Sequence, residues 1–158
     1  GEKVDFGVYN MGGIRAALSK GDVTRGDVLA VAPFENKICF LTLTGDKVLE
    51  LFAQMARRGG EGVSHGVELV ISGDGRLLSA HLHGKDIDRH AAYRIATIDY
   101  LAQGNDQMTA FKDGTDVNSP QEERNNTRHI ISSYFRKMAA QGIAVDAATE
   151  GRIVIAGE

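Results

Sequence analysis

The segment Lys37 to Thr44 (KICFLTLT) runs without a break into an apolar pattern of helical period, and this junction limits the fold more than any other feature of the chain. Its β-branched and aromatic residues mark a well-buried strand, with Cys39 as a small core thiol. Thr44 then opens a helix in which Val48, Leu51, Phe52 and Met55 share one face. Arg57 and Arg58 complement the C-terminal dipole before Gly59-Gly60 stops it. A strand feeding directly into an amphipathic helix requires a sheet for that helix to cover.

The remaining segments supply the rest of the sheet. Val4 to Tyr9 alternates as a strand and ends in the turn Asn10-Met11-Gly12-Gly13. Thr24 caps a short helical turn through Val28, and Pro33 breaks the chain so that Phe34-Glu35-Asn36 falls in a loop. From Gly66 the period becomes two: Val67 to Ile71, the turn Gly73-Asp74-Gly75 and Leu77 to Leu82 form a hairpin, and Tyr93 to Ile98 adds a strand to the same small sheet. A polar loop is expected from Lys112 to Gln121. A second helix follows, with Ile130, Ile131, Tyr134, Phe135 and Met138 on one stripe until Gly142, and Arg152 to Ile155 closes as a strand. Hairpins outnumber crossover units, so the fold class is α+β, a mixed sheet with helices packed on its faces. A chain of 158 residues accommodates one such domain, spanning 1–158, and would be cramped as two.

Charge and motif content exclude several functions. With 18 Lys+Arg against 21 Asp+Glu, the net charge of -3 provides no global field for a nucleic acid polymer, so any phosphate must be met locally. The longest apolar runs fall far short of the ~18 residues of a membrane span. A single cysteine forms no intrachain disulfide and no zinc cluster. No GxSxG elbow, Walker A loop, CxxC or HExxH is present, and no catalytic residue is assigned. His81-Leu82-His83 would place two imidazoles on one strand face near Asp86, Asp88 and His90. The solvated face of a hairpin accounts for them equally, and no metal site is assigned.

Three loops, each read as following a strand, carry ligand-binding chemistry. Asn10-Met11-Gly12-Gly13-Ile14-Arg15 offers glycine amides and a guanidinium to an anionic oxygen or sugar hydroxyl. Pro33-Phe34-Glu35-Asn36 sets an aromatic ring beside an amide. Tyr100-Leu101-Ala102-Gln103-Gly104-Asn105-Asp106 brings a second aromatic and a carboxylate to either side of a Gly-Asn bend. Taken singly, each is explained without a ligand, as a solvated arginine beside a glycine turn, an aromatic folded onto its core, and a capped turn. Together they match a nucleoside: two flat faces for a base, an amide for its edge and a carboxylate for a vicinal ribose diol.

YNMGGIR, VTRGDVLAVAPFENKICFLTLTGDKVLELF, IDYLAQGNDQMTAF and EGRIVI, in that order over nearly the whole chain, resemble the C-terminal domain of the 5'-nucleotidase and UDP-sugar hydrolase family. Joint occurrence at these separations is far more specific than any one motif. The resemblance implies a substrate-binding domain that follows a two-metal phosphoesterase domain in enzymes that dephosphorylate nucleotides or split nucleotide sugars. By motif, Asn10 and Arg15 resemble the loop that contacts nucleoside and phosphate, Phe34 and Tyr100 the aromatics that sandwich the base, Asn36 the base-edge amide, and Asp106 the ribose carboxylate. The implied partners are a nucleotide or nucleoside and a metallophosphoesterase domain or chain. That partner would hold the two divalent metal ions; this chain would hold no cofactor and would bind rather than cleave. An extracytoplasmic setting, periplasmic or cell-surface, is also implied. A stand-alone nucleoside-binding or small-ligand-binding module without catalysis is the alternative. Several positions depart from the pattern. Met11 and Asn105 stand where the family often has glycine, and Tyr100 replaces a common phenylalanine, which implies a narrower pocket with an added hydroxyl. Glu35 is expected to bring negative charge beside the base site. The family's first helix, which precedes the first strand, is expected to be lacking.

Overall fold

The computed structural model describes residues 2–157. In chain order the elements are β1 (Phe6–Tyr9), α1 (Arg25–Val31), β2 (Ile38–Thr44), α2 (Gly45–Arg57), β3 (Gly62–Val63), β4 (Val67–Ser72), β5 (Leu77–Leu82) and β6 (Lys85–Asp86). They continue with β7 (Ala92–Ile98), α3 (Asp99–Ala102), β8 (Thr115–Asn118), α4 (Thr127–Ala140) and β9 (Ile153–Ala156). The class is α+β, but the strands divide into two sheets, ordered β3-β1-β7-β2-β8 and β6-β5-β4-β9. The strand at 92–98 therefore does not extend the hairpin sheet as expected. Alternation identifies a strand without naming its neighbour, and here the whole length of β2 pairs antiparallel with β7, from Ile38 opposite Ile98 to Thr44 opposite Ala92. On its other side β7 pairs parallel with β1.

The β2–α2 junction forms as its sequence dictates. The Thr44 hydroxyl accepts from the Lys47 amide, and the face carrying Val48, Leu51, Phe52 and Met55 is fully buried. These side chains pack with Phe6, Leu41 and Ile95 of the first sheet, with Leu101 of α3 and with Val67 and Leu69 of the second sheet, so one core joins both sheets through α2. Close approach is built in at Gly45, where a Cβ would lie 1.8 Å from the Asp88 carbonyl oxygen. Cys39 is buried, which pushes its thiol above the ordinary value.

Other expectations change in detail. The helix after Thr24 continues to Val31 behind a capping box in which Thr24 and Asp27 satisfy each other's backbone amides. The polar stretch 112–121 contains the edge strand β8, paired with β2. The apolar stripe of α4 forms but is incompletely covered: α1 packs against it, Ile131, Phe135 and Met138 are half-buried, and Ile130 and Tyr134 remain exposed. His83 lies past the end of β5 with φ +51 and its ring against Gly66, which breaks the alternation that would set it beside His81. His81 instead pairs with Asp86 at 3.0 Å.

Candidate functional site

Sheet topology gathers the three loops. Because β1 runs parallel to β7, their C-terminal ends lie on one side of the sheet, and those ends carry Asn10 and Tyr100. The loop 33–36, contrary to expectation, does not follow a strand; it leaves α1 and leads into β2. It reaches the same side because β2 is antiparallel to β7, placing the start of one strand beside the end of the other. Asn10, Arg15, Phe34, Asn36, Tyr100 and Asp106 thus line one cleft of about 320 Å³, together with Gly12, Gly13 and Arg58. This volume sits at the lower end of the roughly 300–1,000 Å³ range of small-molecule pockets. A larger, more open groove of about 1000 Å³ between the 18–28 segment and α4 contains none of the six.

The cleft walls are held by identifiable bonds. Asn10 is 6 % exposed, and its Nδ2 donates to Asp106 Oδ2 at 2.7 Å, tying the first loop to the third. Tyr100 Oη donates to Asp106 Oδ1 at 2.8 Å, so both carboxylate oxygens carry a protein hydrogen bond and keep free lone pairs. That bond raises the Tyr100 phenol above its ordinary value, since ionising it would place two anions together. Asp106 and Gln107 adopt φ of +56 and +63, a conformation uncommon for non-glycine residues that aims the carboxylate back toward Tyr100. Asn105 closes the bend by donating to the Tyr100 carbonyl at 2.8 Å.

On the opposite wall the Arg15 guanidinium lies 5.1 Å from the centroid of the Phe34 ring, a cation–π contact. Phe34 and Tyr100 are 43 % and 39 % exposed, so neither ring is a core residue. The start of α4 braces this loop. The Asn36 carbonyl accepts from the Thr127 amide at 2.9 Å, and Arg128 reaches the Pro33 carbonyl at 3.5 Å and Glu35 at 3.4 Å. Glu35 is therefore directed to Arg128 and does not line the cleft, contrary to the charge expected beside the base site. Met11 likewise projects into solvent instead of narrowing the cleft.

Arg58 and Glu61 are the residues that sequence reasoning missed. Glu61 is buried; its Oε1 accepts from Arg58 Nε at 2.7 Å and its Oε2 from the Met11 amide at 2.6 Å. One carboxylate thereby fixes both a cleft-lining guanidinium and the first turn of the Asn10 loop. Its hydrogen bond, followed by smaller contributions from Asp106 and Tyr100, raises the Arg58 pKa further. The only sequence signal was an acid three residues after an arginine beyond a helix end. Among the described residues, no group of three or more His, Cys, Asp or Glu could hold a metal ion, so a two-metal centre does not fit them. Among the same residues, no helix is long and apolar enough to cross a membrane.

An α+β domain with a ligand-sized, polar and aromatic cleft at the shared end of β1, β2 and β7 defines the class of this protein. Within that class, the chain belongs to the 5'-nucleotidase C-terminal domain family, whose model matches residues 1–113. It is 34 % identical over 106 residues to the protein UshA of Yersinia enterocolitica, a match covering 65 % of this chain and 19 % of that protein. To the 5'-nucleotidase of Vibrio cholerae it is 32 % identical over 115 residues, covering 70 % and 21 % respectively. The chain thus spans about a fifth of the length of these relatives. Its fold is shared, at a TM-score of 0.81 and 24 % identity, with the 5'-nucleotidase precursor of Thermus thermophilus, over 98 % of this chain and 32 % of that one.

Proposed function

We propose that this domain holds the nucleoside part of a nucleotide for a 5'-nucleotidase-type phosphohydrolase. Phe34 and Tyr100 flank the base and Asn36 meets its edge. Asp106 accepts from the ribose hydroxyls, while Asn10 and Arg15 face the sugar and its phosphate. Phosphate ester hydrolysis is the work of a metallophosphoesterase domain or chain that carries two divalent metal ions, which supply the activated water. Membership of the family supports the substrate-binding role, and the names of the relatives support nucleotide catabolism as the process. An extracytoplasmic location belongs to the same reading.

The observation that carries it is the convergence of all six side chains, drawn from three distant segments, on one cleft of about 320 Å³. Stacking between two aromatic rings is sequence-tolerant and supports any base, so the geometry favours a nucleoside without choosing which. Calorimetric titration of the chain with AMP, UMP and a UDP-sugar tests the reading. Saturable binding of at least one, weakened about 5- to 150-fold in Phe34→Ala, is expected. Failure of all of them to bind would overturn it, and chelator-sensitive AMP turnover by the purified chain would overturn the separation of binding from hydrolysis.

A further inference from the structure

In the nucleoside reading every side chain that lines the cleft meets part of the ligand except that of Arg58. Its guanidinium is nevertheless held in place. Nε donates to Glu61 Oε1 at 2.7 Å, and that carboxylate, only 2 % exposed, is itself fixed by the Met11 amide at 2.6 Å. The Arg58 side chain is 33 % exposed, and among the described residues neither Nη1 nor Nη2 has a hydrogen-bond partner, so the rest of the fork is open to a ligand. A guanidinium anchored by one edge to a buried acid is preorganised to receive a phosphate on the other. Position decides which phosphate. Arg58 stands with Tyr100 and Asp106; after the larger effect of its Glu61 hydrogen bond, the charge of Asp106 also raises its pKa. Arg15 lies against Phe34 on the opposite wall. The two cations therefore serve different ends of a bound sugar, Arg15 the 5' end and Arg58 the hydroxyls that Asp106 accepts.

We propose that Arg58, with Glu61 as its positioning residue, binds a second phosphate esterified to the 2' or 3' oxygen of the ribose, so that the cleft favours nucleoside bisphosphates over 5'-monophosphates. This rests on the nucleoside reading of the cleft and goes beyond it by naming the ligand class. Esterifying one hydroxyl leaves the other for Asp106, whose oxygens keep lone pairs beyond those taken by Tyr100 and Asn10. Repulsion between the added phosphate and Asp106 is offset by the guanidinium beside them. A 5'-monophosphate, in contrast, leaves the free edge of Arg58 to water.

The test measures dissociation constants of AMP, ADP, adenosine 3',5'-bisphosphate and adenosine 2',5'-bisphosphate, with the uridine series in parallel, for the unmodified chain, Arg58→Gln and the double variant Arg58→Gln/Glu61→Gln. The double variant serves where Arg58→Gln alone fails to fold, because it leaves no unpaired buried carboxylate, and urea unfolding midpoints follow folding. In the unmodified chain one bisphosphate should bind about tenfold or more tightly than the monophosphate, the worth of one charge-assisted contact, and whichever does so identifies the oxygen. In the folded Arg58 variants that advantage should shrink to less than about threefold. The ADP-to-AMP ratio should keep its value, since the added phosphate of ADP lies at the 5' end. Bisphosphates that bind no better than the monophosphate, an advantage that survives loss of Arg58, or an ADP-to-AMP ratio that falls with it, would each overturn the proposal and leave the nucleoside reading standing. The first of these comparisons needs neither variant. If none of the ligands binds the folded chain, the nucleoside reading falls and this proposal falls with it.

Discussion

Replacing Phe34 by alanine separates a ligand-facing ring from a structural one. Phe34 is 43 % exposed, so a little over half of its surface is withdrawn from water on folding. Complete burial of such a side chain contributes about 1.5–3 kcal/mol, which scales here to roughly 1–1.5 kcal/mol. The Arg15 contact at 5.1 Å adds about 0.5–1 kcal/mol, part of which is recovered when the guanidinium returns to water. The expected stability loss is therefore about 1–2 kcal/mol, or a melting shift of roughly 2–8 °C for a chain of this size. Phe52→Ala provides the scale: its ring is fully buried and lies 5.4 Å from Phe6, and truncation there should cost about 3–5 kcal/mol. Nucleoside affinity should respond in the opposite order. Phe34→Ala should weaken binding about 5- to 150-fold through loss of one stacking face. Phe52→Ala should leave the affinity of the molecules that remain folded nearly unchanged. Urea unfolding combined with titration calorimetry measures both quantities on each variant. The reasoning is refuted if Phe34→Ala loses as much stability as Phe52→Ala, or if it binds nucleoside as the unmodified chain does.

Three further outcomes are expected. Gly45→Ala should destabilise the chain at or above the upper end of the ~1–3 kcal/mol typical of overpacking, because its Cβ would meet backbone at Asp88 instead of a movable side chain; an unchanged unfolding midpoint would contradict this. Glu61→Ala strips the Met11 amide of its acceptor and releases Arg58, and should cost about 1–3 kcal/mol while also weakening nucleoside binding; a stability loss with unaltered affinity would show that the carboxylate does not position the cleft. Hydrogen bonds from Arg152, then His65, lower the Glu150 carboxyl from 4.5 to about 2. The stabilisation is therefore complete above pH 4.5 and disappears as pH falls toward about 2, loosening the attachment of β9; Glu150→Gln should remove this portion of the acid dependence, and identical pH profiles would refute it.

Local chemistry sufficed for much of this protein. The Thr44 cap with its buried helical face, the hairpin around Gly73-Asp74-Gly75 and the three loops that line the cleft were legible because periodicity, capping and turn residues act within a few positions. Partner choice is not local. Nothing within residues 92–98 distinguishes pairing with β2 from extending the hairpin sheet, nor does the polar character of 115–118 announce an edge strand. The stripe on α4 specified a helix but not the extent of its cover, since burial depends on what stands opposite. At the cleft, Asn10, Arg15, Phe34, Asn36, Tyr100 and Asp106 were readable from their chemistry, whereas Arg58 looked like an ordinary cation at a helix dipole. Only the tertiary structure turned it toward the cleft, because Glu61 is buried beneath the Asn10 loop and a buried carboxylate takes the nearest guanidinium as its partner. Tyr100 and Asp106 were likewise named from sequence, but their hydrogen bond required the left-handed turn at Asp106, a backbone state that a non-glycine residue adopts only when the surrounding fold holds it there.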